Sequence, residues 1–107
     1  MILVVGANLM FASKILETAR ALGISAAQAA SDSTELASAK LVVLDLEKLG
    51  VEGVRQLRGR TKAKLIGYAS HVADDVLAGA RDAGCDEVLT RGQLSARLPQ
   101  LLSGGAA

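Results

Sequence analysis

Four short stretches of this chain place chemically useful residues at the end of an apolar run or the start of a helix. The clearest is L-V-V-L-D-L-E-K-L-G, Leu41 to Gly50, where Asp45 is the first acid after four apolar residues. A carboxylate there can accept a phosphoryl group, help to hold a divalent cation, or accept backbone N–H bonds. The second is Y-A-S-H, in which Ala69 is followed by the hydroxyl of Ser70 and by His71, the single histidine. The third is T-R-G, where Arg91 brings a guanidinium fork that can grip a carboxylate through two parallel bonds. The fourth, Gly6-Ala7-Asn8, opens a helix and can offer N–H groups to an anion.

Some chemistries are set aside by spacing. Ser70 and His71 are neighbours, so their side chains diverge, and no G-x-S-x-G elbow precedes Ser70; a Ser-His-Asp hydrolytic triad is not expected. His71 reads instead as a surface or capping residue, with a small-anion or partner site as the alternative. Neither a G-x-G-x-x-G fingerprint nor a Walker A run is present, so a nucleotide or flavin reading rests on fold analogy alone.

The elements that position these residues follow from periodicity. Ile2 to Val5 reads as a buried strand. Asn8 caps a helix whose apolar stripe runs Ala12, Ile15, Leu16, Ala19, Leu22, closed by Gly23. Ile24 to Ala29 suits an edge strand, and Asp32 with Glu35 forms a capping box for a short second helix near residues 34–39. Leu41 to Leu44 is a buried strand followed by a loop. Val51, Val54 and Leu57 mark a third helix ending near Gly59. Leu65 to Tyr68 is the fourth strand, with Ser70 placed to cap a fourth helix marked by Val72, Val76, Leu77, Ala80 and Ala83 and stopped by Gly84. Glu87 to Leu89 is the fifth strand, and a fifth helix runs from Leu94 to Leu102, where Pro99 should kink it or mark a new first turn.

Five strand-helix units with short connections imply a parallel sheet with right-handed crossovers. The expected fold is α/β, a flavodoxin-like (βα)5 three-layer sandwich of strand order 2-1-3-4-5. Ligands of such sheets meet the C-terminal strand ends, which here carry Gly6, Ala7, Asp45, Ala69, Ser70, His71 and Arg91. The expected organisation is one domain over residues 1–103 with a flexible tail at 104–107.

Composition narrows the function further. The chain has 107 residues, 12 basic and 11 acidic, for a net charge of +1. No global imbalance points to nucleic acid or a membrane surface, and no run reaches the roughly 18 apolar residues of a membrane span. Cys85 is the single cysteine. An internal disulfide and a cysteine metal cluster are therefore excluded, in keeping with a cytoplasmic location, and Cys85 reads as a small buried hydrophobe. The one local anomaly is V-R-Q-L-R-G-R-T-K-A-K, with Arg55, Arg58, Arg60, Lys62 and Lys64. It reads as a solvated helix end favoured by the helix dipole, with contact to an acidic partner or nucleic acid as the alternative. Met10 and Phe11 fall outside the first helix's stripe; one of them is expected at the surface, as core edge or docking patch.

These stretches together carry a family resemblance over nearly the whole chain. L-V-V-L-D-L-E-K-L-G-V-E-G-V resembles the third strand and following loop of response-regulator receiver domains. A-G-C-D-E-V-L-T-R resembles their run into the fifth strand, and I-L-V-V their first strand. M-F-A-S-K-I-L-E-T-A-R and I-G-Y-A-S-H-V are similar to segments of short stand-alone bacterial receiver-like proteins. The resemblance implies that Asp45 holds the phosphoacceptor position. It also implies an acidic pair for Mg²⁺ at the end of the first strand, where this chain has Gly6 and Ala7. The receiver's hydroxyl position falls on Ala69 with Ser70 one place later, its lysine on Arg91, the proline after it on Gly92, and its aromatic switch position on Val88.

The reading is an atypical, degenerate pseudo-receiver that lacks the Mg-binding acidic pair. It is a non-enzymatic signalling or protein-interaction module with no cofactor. A protein partner or a homodimer is expected at the fourth helix, fifth strand and fifth helix; membrane and nucleic acid are not expected partners. Asp45 is expected to accept backbone N–H bonds or to pair with Arg91. The alternatives are a small-ligand or nucleotide-binding protein using the strand-end crevice, and a true phosphoacceptor at Asp45.

Overall fold

Five apolar runs form the strands of one parallel sheet: β1 (Ile2–Val5), β2 (Ala26–Ala29), β3 (Leu41–Asp45), β4 (Lys64–Ala69) and β5 (Glu87–Thr90). The structure is a computed structural model and describes residues 1–71 and 74–106. Strand order is β2-β1-β3-β4-β5, as the alternation of strands and helices predicts. β1 and β3 are buried on both faces, which explains their unbroken Ile, Leu and Val. β2, at one edge, is A-A-Q-A and only half-buried.

Four α-helices cover the faces: α1 (Leu9–Ala21), α2 (Leu46–Arg60), α3 (Asp74–Ala83) and α4 (Arg91–Ala106). Alternate residues of each strand feed two cores. On one face Ile2, Val4, Val43, Ile66 and Tyr68 pack with Phe11, Ile15, Leu94 and Leu98 of α1 and α4. On the other, Leu3, Val5, Val42, Leu44 and Leu65 pack with Leu36, Val54, Leu57, Ala80 and Ala83. Tyr68 and Phe11 meet at a centroid distance of 4.8 Å and a tilt of 44°.

Several boundaries differ from the sequence-based expectation, each for a local reason. The second crossover holds a 3₁₀ helix (Thr34–Ser38), so the second helix of the (βα)5 pattern is a single short turn. Its cap is Ser33, whose Oγ accepts from Glu35 N at 3.2 Å, and not Asp32. α2 begins directly after Asp45, where a loop was expected, and breaks at Gly50 (φ 67, ψ 176). Leu46 can start the helix there because Gly67 leaves room for it on the sheet: a Cβ at Gly67 would sit 2.8 Å from Leu46 Cδ2. α4 begins at Arg91, three residues before the expected Leu94, because Thr90 and Gln93 cap each other. Thr90 N donates to Gln93 Oε1 at 2.9 Å, and Gln93 N to Thr90 Oγ1 at 3.1 Å. α4 then runs through Pro99 as one helix and on to Ala106, across the stretch expected as tail. Val72 lies outside the described residues. Of the α1 stripe, Leu22 is exposed and serves as the C-cap residue. Phe11, expected outside the stripe, is buried, and Met10 is the exposed member of that pair.

Candidate functional site

The C-terminal strand ends bring together most of the residues singled out above. Asp45 closes β3 and sits in register beside Tyr68 of β4. It is 8% exposed, and its Oδ1 accepts from Glu47 N at 2.8 Å and Lys48 N at 3.3 Å. The carboxylate is thus the N-cap of α2, satisfying two of the amides that a helix start leaves without partners. Of the two roles expected for Asp45, the backbone one is what the structure shows.

Arg91 is not Asp45's partner: among the described residues it makes no ion pair and donates no hydrogen bond. Nor does it stand clear in solvent. Half-buried at the start of α4, its guanidinium carbon lies 5.6 Å from the centre of the Phe11 ring, a cation–π contact. Its Nε is buried without a hydrogen-bond partner, as is the hydroxyl of Tyr68. Burial pushes the Tyr68 hydroxyl up to about 12, with the Asp45 charge raising it further and Arg91 opposing.

At the end of β1 the chain turns at Gly6 with φ +77, a conformation that glycine alone adopts without strain. A Cβ there would meet Leu49 Cγ at 3.3 Å, so a leucine of α2's first turn covers the place from which a side chain at position 6 would emerge. Ala7 packs against the α1/α4 core, and Asn8 caps α1, its Oδ1 accepting from Phe11 N at 2.8 Å. Ala69 is buried in the opposite core and offers no hydroxyl.

Ser70 is not the cap of α3, which begins at Asp74, too far along the chain. Instead its N–H donates to Glu47 Oε1 at 2.7 Å. That bond, with the Ser70 side chain and then the Arg91 charge, holds the Glu47 carboxyl below its usual range. Ser70 and His71 are both exposed, and they do not assemble with the capped Asp45 into a triad. Glu47, Leu49 and Tyr68 are the members of this edge that sequence reasoning missed. Glu47 was hidden because L-E-K read as loop; once α2 starts at Leu46, an acid in its first turn is where the dipole favours one.

The basic run is mostly engaged within the fold. Arg58 donates to the carbonyls of Gly84 (3.2 Å), Thr61 (2.8 Å) and Ala63 (2.7 Å) and faces Asp86. Arg60 donates to Ser31 O at 2.6 Å, Arg55 pairs with Glu52, and Lys64 pairs with Glu87 at 3.5 Å. Cys85 is buried, and burial pushes its thiol up to about 11, away from reactivity.

No protein-family model and no curated protein matches the chain by sequence. Solved structures match its fold. A response regulator from Thermotoga maritima superposes with a TM-score of 0.77 at 15% identity, over 98% of this chain and 95% of that one. The beryllofluoride-activated NtrC4 receiver domain dimer gives 0.72 at 17% identity, over 97% of each chain. A response regulator from Burkholderia pseudomallei, solved with a phosphorylated aspartic acid, a calcium ion and citrate, gives 0.71 at 19% identity, over 98% of this chain and 72% of that one. The fold is therefore that of receiver domains.

Receiver chemistry implies a divalent cation at this edge, and the donors present are fewer than the resemblance calls for. Asp45 and Glu47 are its carboxylates; one oxygen of each already accepts backbone N–H bonds, and Gly6 and Ala7 supply none. Among the described residues no three His, Cys, Asp or Glu side chains gather as metal ligands. A small cation that favours an octahedron of oxygens would find one unbonded oxygen on each of Asp45 and Glu47 and would take the rest of its shell from elsewhere.

Proposed function

We propose that this chain is a receiver-type signalling module that acts by binding a protein partner, with Asp45 serving as a helix cap and not as a phosphoryl acceptor. The observation that carries the reading is the Asp45 carboxylate, bonded to Glu47 N and Lys48 N at a strand end with no neighbouring acid on β1. Phosphoryl transfer to a carboxylate depends on charge neutralisation and positioning. Here the cationic side chain at the receiver's lysine position, Arg91, lies over the Phe11 ring and makes no ion pair with Asp45.

With no chemistry of its own, such a module transmits by contact. The face formed by α3, β5 and α4 is the proposed partner or homodimer surface. No helix among the described residues is long and apolar enough to cross a membrane, and the buried, protonated Cys85 suits a reducing cytoplasm.

The test is treatment with acetyl phosphate, and separately with beryllofluoride, each with Mg²⁺, followed by intact mass and by amide NMR spectra. Unchanged mass and unchanged spectra are expected. A gain of one phosphoryl group mapping to Asp45 overturns the reading in favour of a working phosphoacceptor.

A further inference from the structure

Beside the Asp45 edge, where α1 starts and α4 leaves β5, lies an open groove of about 470 Å³ lined by Asn8, Leu9, Met10, Phe11, Lys14 and Arg91. Two features meet in it. Leu9 and Met10 are 73% and 87% exposed, the two most exposed large apolar side chains of the described residues, and they stand side by side. Lys14 and Arg91 bring two positive charges, and neither makes an ion pair among the described residues. In a second groove, at Arg58 to Lys62, the two arginines instead donate to backbone carbonyls.

One polar group of the groove is also unmet. Arg91 Nε is buried without an acceptor, and one layer below, against the Phe11 ring, the fully buried Tyr68 hydroxyl lacks a partner too. Buried polar groups are normally hydrogen-bonded, so two adjacent orphans mark a corner short of acceptors. The carboxylates nearest this corner do not supply them. Glu47 accepts from Ser70 N, the bond that chiefly holds its carboxyl below its usual range, and Asp45 caps α2.

From this we infer that the groove is a docking site for an extended segment of a partner protein that presents a carboxylate beside a large apolar side chain. The carboxylate meets Arg91 and Lys14, and the apolar side chain lies on Met10, Leu9 and the Phe11 ring. Charge complementarity selects an acidic segment over a basic one. The openness of the groove and its flexible methionine suit a strand of polypeptide lying along it; a small ligand would ordinarily be enclosed on most sides. The inference rests on the reading of the chain as a partner-binding module and gives that module a second face, at the start of α1, which shares with α4 only its first residue, Arg91.

The experiment is selection from a random heptapeptide display library against the full chain, with amide NMR mapping of the enriched peptides. Peptides that pair Asp or Glu with Leu, Ile, Phe or Trp, and that shift the amides of Met10, Lys14 and Arg91, are expected. Their affinity should fall about tenfold or more in Lys14→Glu and in Met10→Asp, as expected for loss of a charge-assisted contact or an apolar anchor. Both positions are exposed, and unchanged thermal unfolding certifies the fold. No enrichment, enrichment without an acid, or binding unaffected by either variant overturns the site. Enriched peptides that shift α3, β5 and the rest of α4 without shifting Met10 or Lys14 overturn it as well, while leaving the module reading in place. An acetyl phosphate reaction at Asp45 would overturn the non-acceptor part of that reading, and intact mass tells that failure apart from failure of the groove.

Discussion

Arg58 decides whether the basic run is a binding strip or part of the frame, and the cost of removing it can be worked from its contacts. Its guanidinium donates to Thr61 O and Ala63 O at 2.8 and 2.7 Å, and more loosely to Gly84 O at 3.2 Å. Its stem fills the space above Gly84, where a Cβ would come within 2.5 Å of Arg58 Cδ. A hydrogen bond from a charged donor contributes about 1.5–3 kcal/mol when buried. The side chain is 30% exposed, so water recovers part of that. Two strong bonds discounted by about half, plus the lost packing of the stem, give about 2–4 kcal/mol for Arg58→Ala. That is a large share of the roughly 5–15 kcal/mol that holds a domain of this size. Arg58→Met, which keeps the stem, should cost less than Arg58→Ala, and Arg55→Ala less than about 0.5 kcal/mol because its pair with Glu52 is exposed. Urea unfolding at neutral pH measures all three. Equal small losses for Arg55→Ala and Arg58→Ala would refute the clamp and return the run to the role of a solvated, partner-seeking patch.

Other expectations can be checked on the same protein. Asp45→Asn should leave stability nearly unchanged and Asp45→Ala should lose about 1 kcal/mol by urea titration, because asparagine caps a helix as well as aspartate and alanine does not; equal losses would mean that the charge matters more than the cap. Gly6→Asp should cost about 1–3 kcal/mol through its positive φ and gain no Mg²⁺-dependent thermal shift, whereas stabilisation by Mg²⁺ would show that an acid suffices to build the site. Cys85 and Tyr68 keep their protons in the folded state up to about 11 and about 12, but lose them in the unfolded chain from 9.0 and 10.0. Above pH 9 the unfolded state therefore binds fewer protons than the native one, so stability falls as pH rises, and Tyr68→Phe should flatten the part of the slope above pH 10. Glu47→Ala should lower the protection of the Ser70 amide against hydrogen exchange, and in the unmodified chain the protection factor, taken against the intrinsic rate at each pH, should fall as acidification protonates the lowered Glu47 carboxyl.

Strand positions and sheet order were legible because buried parallel strands must be continuous apolar runs, and Ile2 to Val5 and Leu41 to Leu44 are such runs. The helix starts were less so. Leu46 looked like loop because Gly50 interrupts its period, and only the room above Gly67 shows that the first turn can pack. The mutual cap of Thr90 and Gln93 was present in T-R-G-Q and would have moved the start of α4 to Arg91. At the candidate site, the capping role of Asp45 follows from its place before a helix. Arg91's attachment to Phe11 could not be read, since it depends on a buried ring that the helical stripe appeared to exclude. The burial of Phe11 reflects α4 folding over α1, a contact between segments some 80 residues apart in the chain.

The connection from β2 to β3 is tied down lightly. Of residues 30–40 only Leu36 is buried; Arg60 donates to Ser31 O at one end of the connection, and at the other Lys40 N donates to Met1 O and Lys40 O accepts from Lys64 N. Chain entropy grows slowly with loop length, so lengthening an exposed connection costs little compared with disturbing a packed one. This crossover is thus a seam in the molecule. A reporter peptide, a protease site or a new pair of termini introduced between Ala30 and Ser33 would leave the five strands and the Asp45 edge in register, on the side of the sheet farthest from α4.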